Sequence, residues 1–216
     1  MYWHFDLITS MSCKEFTTEY LAWAKERKYH QSKSKAESVY ELALGGIPTL
    51  SSSTPSTKML VQEAISVLRA VDSSLSHILS RMQELSKTLP EYTVVREMGG
   101  VGEVLAPKLI AEIGDVRRLH NGKALVACAG IDPPPYESGQ FVGSNRRITK
   151  RGSSTLRKVG YEVMRVLKSH PAPEDDAVYN YILKKEAEGK SKKEAKIAGL
   201  NKFLRIYYAR VMEVYQ

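Results

Sequence analysis

Only two cysteines occur in the 216 residues, Cys13 and Cys128. Two thiols so far apart are too few for a disulfide framework or a cysteine zinc site, which points to a reducing compartment. No apolar run approaches the roughly twenty residues that a membrane-spanning helix needs. The first residues, Met1-Tyr-Trp-His-Phe-Asp, lack both the basic flank and the apolar stretch of a secretory signal. Five histidines (His4, His30, His77, His120 and His170) are scattered without the spacing of metal ligands. No pair of carboxylates can be placed on one face around a cleft, so hydrolysis by paired acid and base finds no support. These absences exclude secreted, membrane-spanning and metal-finger classes. The expectation is a cytoplasmic protein with no membrane partner and no metal or other cofactor in this chain.

What is present is an ordinary globular balance of 43% apolar and 26% charged residues. The net charge is +8, and it is unevenly spread. Residues 1–54 carry six basic side chains against six acidic ones, and residues 55–90 carry four against three. Residues 91–216 carry 22 against 15. Within them, residues 117–158 hold nine basic side chains, opposed only by Asp132 and Glu137. Such a local excess favours a polyanion over a small neutral ligand.

Periodicity predicts a mainly α fold in three segments. Residues 1–54 form a lead-in of short helices, with Phe16, Tyr20, Leu21 and Trp23–Ala24, then Val39, Leu42 and Ala43, at helical spacing. Gly45-Gly46 and Ile47-Pro48 stop the last of them, and Ser51 to Thr57 is a loop rich in capping hydroxyls with Pro55 suited to a first helical turn. Residues 55–90 read as one long helix without interior Gly or Pro. Its apolar residues Val61, Ala64, Leu68, Val71, Leu75, Ile78, Met82, Leu85 and Leu89 alternate in steps of three and four, the a/d register of a coiled coil over about four heptads. A long helix packed within its own bundle remains the alternative. Residues 91–216 follow a composition shift at Pro90: helix, tight turn and helix to about 130, a Pro/Gly/Ser/Arg-rich loop and short strand over 131–152, then helices over 153–168, 175–188 and about 191–215.

Two stretches carry chemistry. Around Met98-Gly-Gly-Val-Gly102, two short apolar helices flank a glycine turn, followed by Ala106 and Leu109–Ile110, the helix-hairpin-helix pattern. Gly100 and Gly102 let a phosphate oxygen reach backbone N–H groups at the start of the second helix, where the helix dipole also favours an anion. Glycines that merely permit close packing of a helical hairpin are the other reading. In the second stretch, Ser138-Gly139 follows a proline run, and Arg146, Arg147, Lys150 and Arg151 come within the next thirteen residues. A serine hydroxyl is a weak nucleophile, so attack on a phosphodiester needs positive charge to hold the phosphate and its developing oxyanion. From the residues alone, a Ser-Gly turn beside a solvated basic loop is the favoured reading.

From Val94 to the C-terminus the chain resembles the DEDD-group insertion-sequence transposases, the IS-one-ten family. The shared blocks are the Met98–Gly102 turn, Ala111-Glu-Ile-Gly-Asp115, Leu125 to Gly130-Ile-Asp-Pro133, Tyr136-Glu-Ser-Gly139, Arg147-Ile-Thr-Lys-Arg-Gly152 and Leu156-Arg157. The resemblance implies a coiled-coil helix followed by a transposase domain that contains the helix-hairpin-helix and a small loop/strand insertion. It also implies a role for Ser138 as the nucleophile, through a transient 5′-phosphoserine link to DNA. Arg146, Arg147, Lys150 and Arg151 are expected beside it as phosphate binders, on the argument of charge. Family members act as dimers or tetramers through the coiled coil, and at least some are guided by a structured RNA. The partners expected are therefore DNA, a structured guide RNA and further copies of the chain, in a bacterial or archaeal cytoplasm at the nucleoid.

One departure accompanies the resemblance. The family's RuvC-like half binds divalent magnesium through four acidic residues, and residues 1–55 show no alternating apolar strands leading to an acidic residue. The metal is thus expected only in that other half, and this chain alone is expected not to recombine DNA. A non-catalytic reading stands beside the recombinase one: the hairpin and basic residues hold nucleic acid, the coiled coil dimerises, and Ser138 is idle.

Overall fold

A computed structural model describes residues 2–47, 49–133, 137–138, 141–142, 147–170 and 176–216, with backbone alone at 137–138, 141–142 and 176. The chain divides into two units, Met1–Ser76 and His77–Gln216. The fold is mainly α, as the periodicity predicts.

In the first unit, α1 (Phe5–Thr9), α2 (Cys13–Glu26) and α3 (Lys33–Gly45) form because each start is capped. Ser12 and Glu15 make a reciprocal capping box, and the hydroxyl of Ser32 accepts from the Lys35 N–H. Phe16 is buried with Ile8, Ala36 and Ala43, and Tyr2, Tyr20 and Tyr40 pack around it. The Tyr40 hydroxyl donates to the Met11 carbonyl at 2.9 Å.

Helix α4 (Pro55–Ser86) begins with proline in its first turn, where no backbone donor is lost. It ends at Ser86, short of the predicted Leu89. The Ser86 hydroxyl donates to the Gln83 carbonyl and that of Thr88 to the Leu85 carbonyl. Proline at position 90 also disfavours helical backbone at Leu89. The heptad stripe is unburied: Leu68, Val71, Leu75, Ile78 and Leu85 are between 52% and 67% exposed. No helix among the described residues is long and apolar enough to cross a membrane.

The second unit continues with α5 (Tyr92–Arg96), α6 (Leu105–Ile113), a single 3-10 turn (Val116–Arg118) and α7 (Gly122–Cys128). After a two-residue antiparallel ladder come α8 (Ser154–Ser169), α9 (Asp176–Ala187) and α10 (Lys192–Val214). In the ladder, β1 (Glu137–Ser138) pairs with β2 (Phe141–Val142) so that Ser138 faces Phe141. One core joins these helices. Leu109 and Ile113 of α6, Leu125 of α7, Leu156, Met164 and Leu167 of α8, Ile182 of α9 and Phe203 and Tyr207 of α10 are all fully buried in it. Side chains of this size each contribute roughly 1.5–3 kcal/mol on full burial. Two glycines set helix spacing: a Cβ at Gly160 would meet Leu200, and one at Gly199 would meet Ile182.

The far end of α10 is tied back to the start of α5. Tyr215 donates to the buried Glu91 carboxylate at 2.6 Å, and the Arg117 guanidinium lies 4.4 Å from the centre of the Tyr215 ring. The hydrogen bond to Glu91, reinforced by desolvation and the same negative charge, pushes the Tyr215 hydroxyl up to about 12. Arg117 also grips Asp115 in a fork, and these hydrogen bonds hold the Asp115 carboxyl below its ordinary value.

Candidate nucleic-acid interface

The two glycines of the turn between α5 and α6 differ in their surroundings. Gly100 has φ +78°, and a Cβ there would fall 2.6 Å from the Val163 carbonyl oxygen and 2.8 Å from the Leu167 Cβ. Its lack of a side chain lets the turn seat directly on α8. Gly102 is exposed, and a Cβ there would meet nothing within 4 Å. Its carbonyl accepts from the Leu105 and Ala106 N–H groups. The amides of Gly102, Glu103 and Val104 have no partner among the described residues, and Val104 supplies no side-chain cap. Among the described residues, three unpartnered donors stand at the head of a nine-residue apolar helix, and the exposed Glu103 belongs to the same turn.

The second feature is a backbone crossing. The chain leaves the end of α7 through Ala129, Gly130, Ile131 and Asp132, and returns through Thr149, Lys150, Arg151 and Gly152 into α8. The Ser153 N–H donates to the Cys128 carbonyl at 2.7 Å, that of Lys150 to Gly130 at 2.9 Å and that of Thr149 to Asp132 at 3.0 Å. Side chains reinforce the contact. The Thr149 hydroxyl donates to the Asp132 carboxylate at 2.8 Å, Arg157 donates to the Ala129 carbonyl at 2.9 Å, and the Ser153 hydroxyl donates to Glu112 at 3.1 Å. Gly130, at φ +61°, and Gly152 touch backbone to backbone: a Cβ on Gly152 would lie 2.2 Å from the Cys128 carbonyl oxygen.

This crossing sorts the basic cluster. Arg157 is committed to Ala129, Arg118 donates to the Ile113 carbonyl, and Arg117 holds Asp115. Lys123, Arg147, Lys150, Arg151 and Lys158 are exposed, and none has a carboxylate within ion-pair distance among the described residues. Lys150 stands at φ +57°, the left-handed region that disfavours a residue with a Cβ. Ser138 is placed by its backbone on β1, and Arg146 lies outside the described residues. Ser138, Arg146 and Arg147 belong in sequence to residues 133–148, between the two sides of the crossing, and most of that stretch lies outside the described residues. Among the described residues, no group of three or more His, Cys, Asp or Glu side chains converges as ligands of a metal ion do.

Sequence reasoning missed Asp132, Thr149, Glu112 and Ser153. Each meets its partner across seventeen to forty-one positions of sequence, a range that no periodicity reaches. The paired glycines at 130 and 152 were the signal available, since two glycines bracketing a basic loop mark a close backbone approach.

Comparison with known proteins bears on the same stretch. Residues 92–180 match the family described as Transposase IS116/IS110/IS902 family. The chain is 27% identical over 167 residues to the insertion element IS116 uncharacterized 44.8 kDa protein of Streptomyces clavuligerus, covering 77% of this chain and 40% of that protein. It is 25% identical over 165 residues to the pilin gene-inverting protein of Moraxella bovis, covering 70% of this chain and 50% of that one. The pilin gene-inverting protein of Moraxella lacunata matches to the same extent. The chain thus spans 40–50% of the length of these curated relatives. The turn before α6, the backbone crossing and α8 all lie within the stretch, residues 92–180, that matches this transposase family.

Proposed function

We propose that this chain contributes the serine-bearing and coiled-coil parts of a recombinase that cuts and rejoins DNA strands. The observation that carries the reading is the cluster of exposed cations Arg147, Lys150 and Arg151 at the backbone crossing, a few residues along the chain from Ser138 on its short ladder. Names of the relatives agree, since an insertion element and a gene-inverting protein both imply DNA rearrangement. In the proposed step the Ser138 hydroxyl oxygen attacks a DNA phosphorus and its proton passes to a base. The phosphodiester's leaving oxygen departs as a hydroxyl, giving a phosphoserine link that a second DNA hydroxyl later displaces. Arg146, Arg147, Lys150 and Arg151 offset the charge that builds on the phosphoryl oxygens. The turn around Gly102 holds the DNA backbone through its free amides, as a helix-hairpin-helix does. Magnesium belongs to a RuvC-like acidic half, and no step assigned to these residues passes through it.

The test is a covalent adduct. The chain, joined to the RuvC-like half of a relative and given nicked duplex DNA, should yield a protein–DNA band stable to denaturant. Ser138→Ala should abolish that band while DNA binding persists. Strand exchange that survives Ser138→Ala would return the serine to an idle role and favour the binding-module reading.

Pairing through α4 belongs to the same proposal. A stripe of Leu68, Val71, Leu75, Ile78 and Leu85, each worth roughly 1.5–3 kcal/mol on burial, fits a second copy of the helix. A structured guide RNA is the further partner, held through backbone and shape more than base sequence. Light scattering should show a dimer that gains mass with structured RNA and becomes monomeric in Leu75→Asp. A wild-type monomer indifferent to RNA would remove both partners from the proposal.

A further inference from the structure

Beyond the stretch that matches the family, α9 and α10 form a hairpin whose tip is crowded with lysine. Residues 184–196 carry six lysines and three glutamates. The chain doubles back at Gly189, φ +88°, and the Lys190 N–H donates to the Lys185 carbonyl at 3.1 Å. Behind the tip the two helices are packed together, with Ile182 seated on Gly199. All three carboxylates are committed: Glu186 to Lys168 at 2.8 Å, Glu188 to Lys185 at 2.6 Å, and Glu194 to the Ser191 N–H and hydroxyl. The hydrogen bond from Lys185 holds the Glu188 carboxyl below its ordinary value, and the nearby charges of Lys184 and Lys190 act in the same direction. Lys184, Lys190, Lys192 and Lys193 are exposed, and among the described residues none has a carboxylate within ion-pair distance.

We infer that the α9–α10 tip is a further docking surface for duplex DNA, which it grips by the phosphate backbone through Lys184, Lys190, Lys192 and Lys193. This rests on the DNA reading of the chain, but on none of the residues assigned to cutting. A duplex presents about one negative charge per 1.7 Å of its axis, so ammonium groups on flexible stems can each find one. No Arg, Asn or Gln lies between 184 and 196 to fork onto a base edge, so the surface holds DNA without reading its sequence. A single strand would be held differently, by bases stacking on open aromatic rings. The tyrosines of α9 are half-buried and already covered. The Lys168 ammonium lies 5.5 Å from the centre of the Tyr179 ring, and those of Lys185 and Lys202 lie 5.3 and 5.1 Å from that of Tyr181. Exposed charge without a free ring fits the backbone of a duplex.

The first experiment uses the chain as it is. Its lysines are acylated briefly with and without a 30-base-pair duplex and quantified by mass spectrometry. Lys184, Lys190, Lys192 and Lys193 should react at least about threefold more slowly with DNA present, as expected of ammonium groups that neutralise phosphates. Unchanged reactivity at all four overturns the surface. The second experiment replaces those four lysines with glutamine, with circular dichroism confirming the fold. Affinity for the duplex at fixed salt should fall at least about tenfold, and the slope of log affinity against log salt should shrink by about 3 to 4. A control removes the same charge from the first unit, at the exposed Lys14, Lys25, Lys28 and Lys35, and should change the slope by less than about 1. Equal losses in the two variants would mean that net charge acts rather than this surface. Weakened binding of structured RNA with duplex binding intact overturns the DNA assignment in favour of RNA. Ser138 takes no part in these measurements: a missing covalent adduct removes the nucleophile and leaves this surface standing, and an adduct that forms beside unprotected lysines removes the surface alone.

Discussion

Gly152→Ala should strongly destabilise the second unit. The new Cβ would lie 2.2 Å from the Cys128 carbonyl oxygen, 2.5 Å from the Gly130 nitrogen and 2.6 Å from the Ala127 carbonyl oxygen. All three are backbone atoms, so no side-chain rotation relieves the clash. The two strands have to part, which breaks the bonds from Ser153 to Cys128, Lys150 to Gly130 and Thr149 to Asp132. Each such bond is worth roughly 0.5–1.5 kcal/mol net, and forcing atoms into a filled space adds roughly 1–3 kcal/mol. A loss of about 3 kcal/mol or more follows from these figures, to be measured by urea denaturation followed by helical circular dichroism. A second readout is local. Cys128 is half-buried beside the crossing, so in a Cys13→Ser background its thiol should react faster with a disulfide reagent when Gly152 is replaced. Stability within a few tenths of the parent would mean that the crossing is looser than these contacts indicate.

That result bears on what a sequence shows. The helices were legible because caps, periodicity and breakers are local: Ser12 with Glu15 starts α2, Ser191 with Glu194 starts α10, and glycines or prolines end several others. The stripe on α4 was legible too, since its register depends only on spacing. What local pattern cannot carry is the commitment of a charge to a distant partner. Arg117, Arg118 and Arg157 sit in the same basic run as Arg147 and Arg151, yet they hold Asp115, Ile113 and Ala129. A charge count rates them alike, and only the folded chain separates cations spent on structure from those left facing solvent. Glu91 is a similar case. Glutamate is rarely buried without a partner, and the one it finds, Tyr215, is 124 positions away. For Ser138, spacing and charge favoured a plain turn beside a solvated loop, and only the resemblance to a family reversed that reading.

The glycine turn gives the sharpest contrast between what spacing suggests and what packing requires. In the sequence, Gly100 and Gly102 are equivalent members of one motif. In the structure, Gly100→Ala places a Cβ 2.6 Å from the Val163 carbonyl oxygen and 2.9 Å from the Leu167 nitrogen, at φ +78°. The left-handed backbone costs about 1–2 kcal/mol for alanine, and the clash with α8 adds roughly 1–3 kcal/mol. Gly100→Ala should therefore lower the denaturation midpoint markedly and weaken DNA binding only through loss of fold. Gly102→Ala is its opposite. Nothing lies within 4 Å of the added methyl, and φ is not in the left-handed region, so stability should stay within about 0.5 kcal/mol of the parent, the usual range for an open surface site. The methyl would nonetheless stand among the free amides of Gly102, Glu103 and Val104, where a phosphate oxygen has to approach closely. Affinity for duplex DNA should fall severalfold at fixed salt. Because these amides are neutral and neutralise no phosphate, the slope of log affinity against log salt should stay near that of the parent. Undiminished affinity in a folded Gly102→Ala protein would leave the turn a packing element alone. The pair therefore separates the two readings of the motif: stability reports on the glycine that α8 requires, and binding at fixed salt reports on the one that faces solvent.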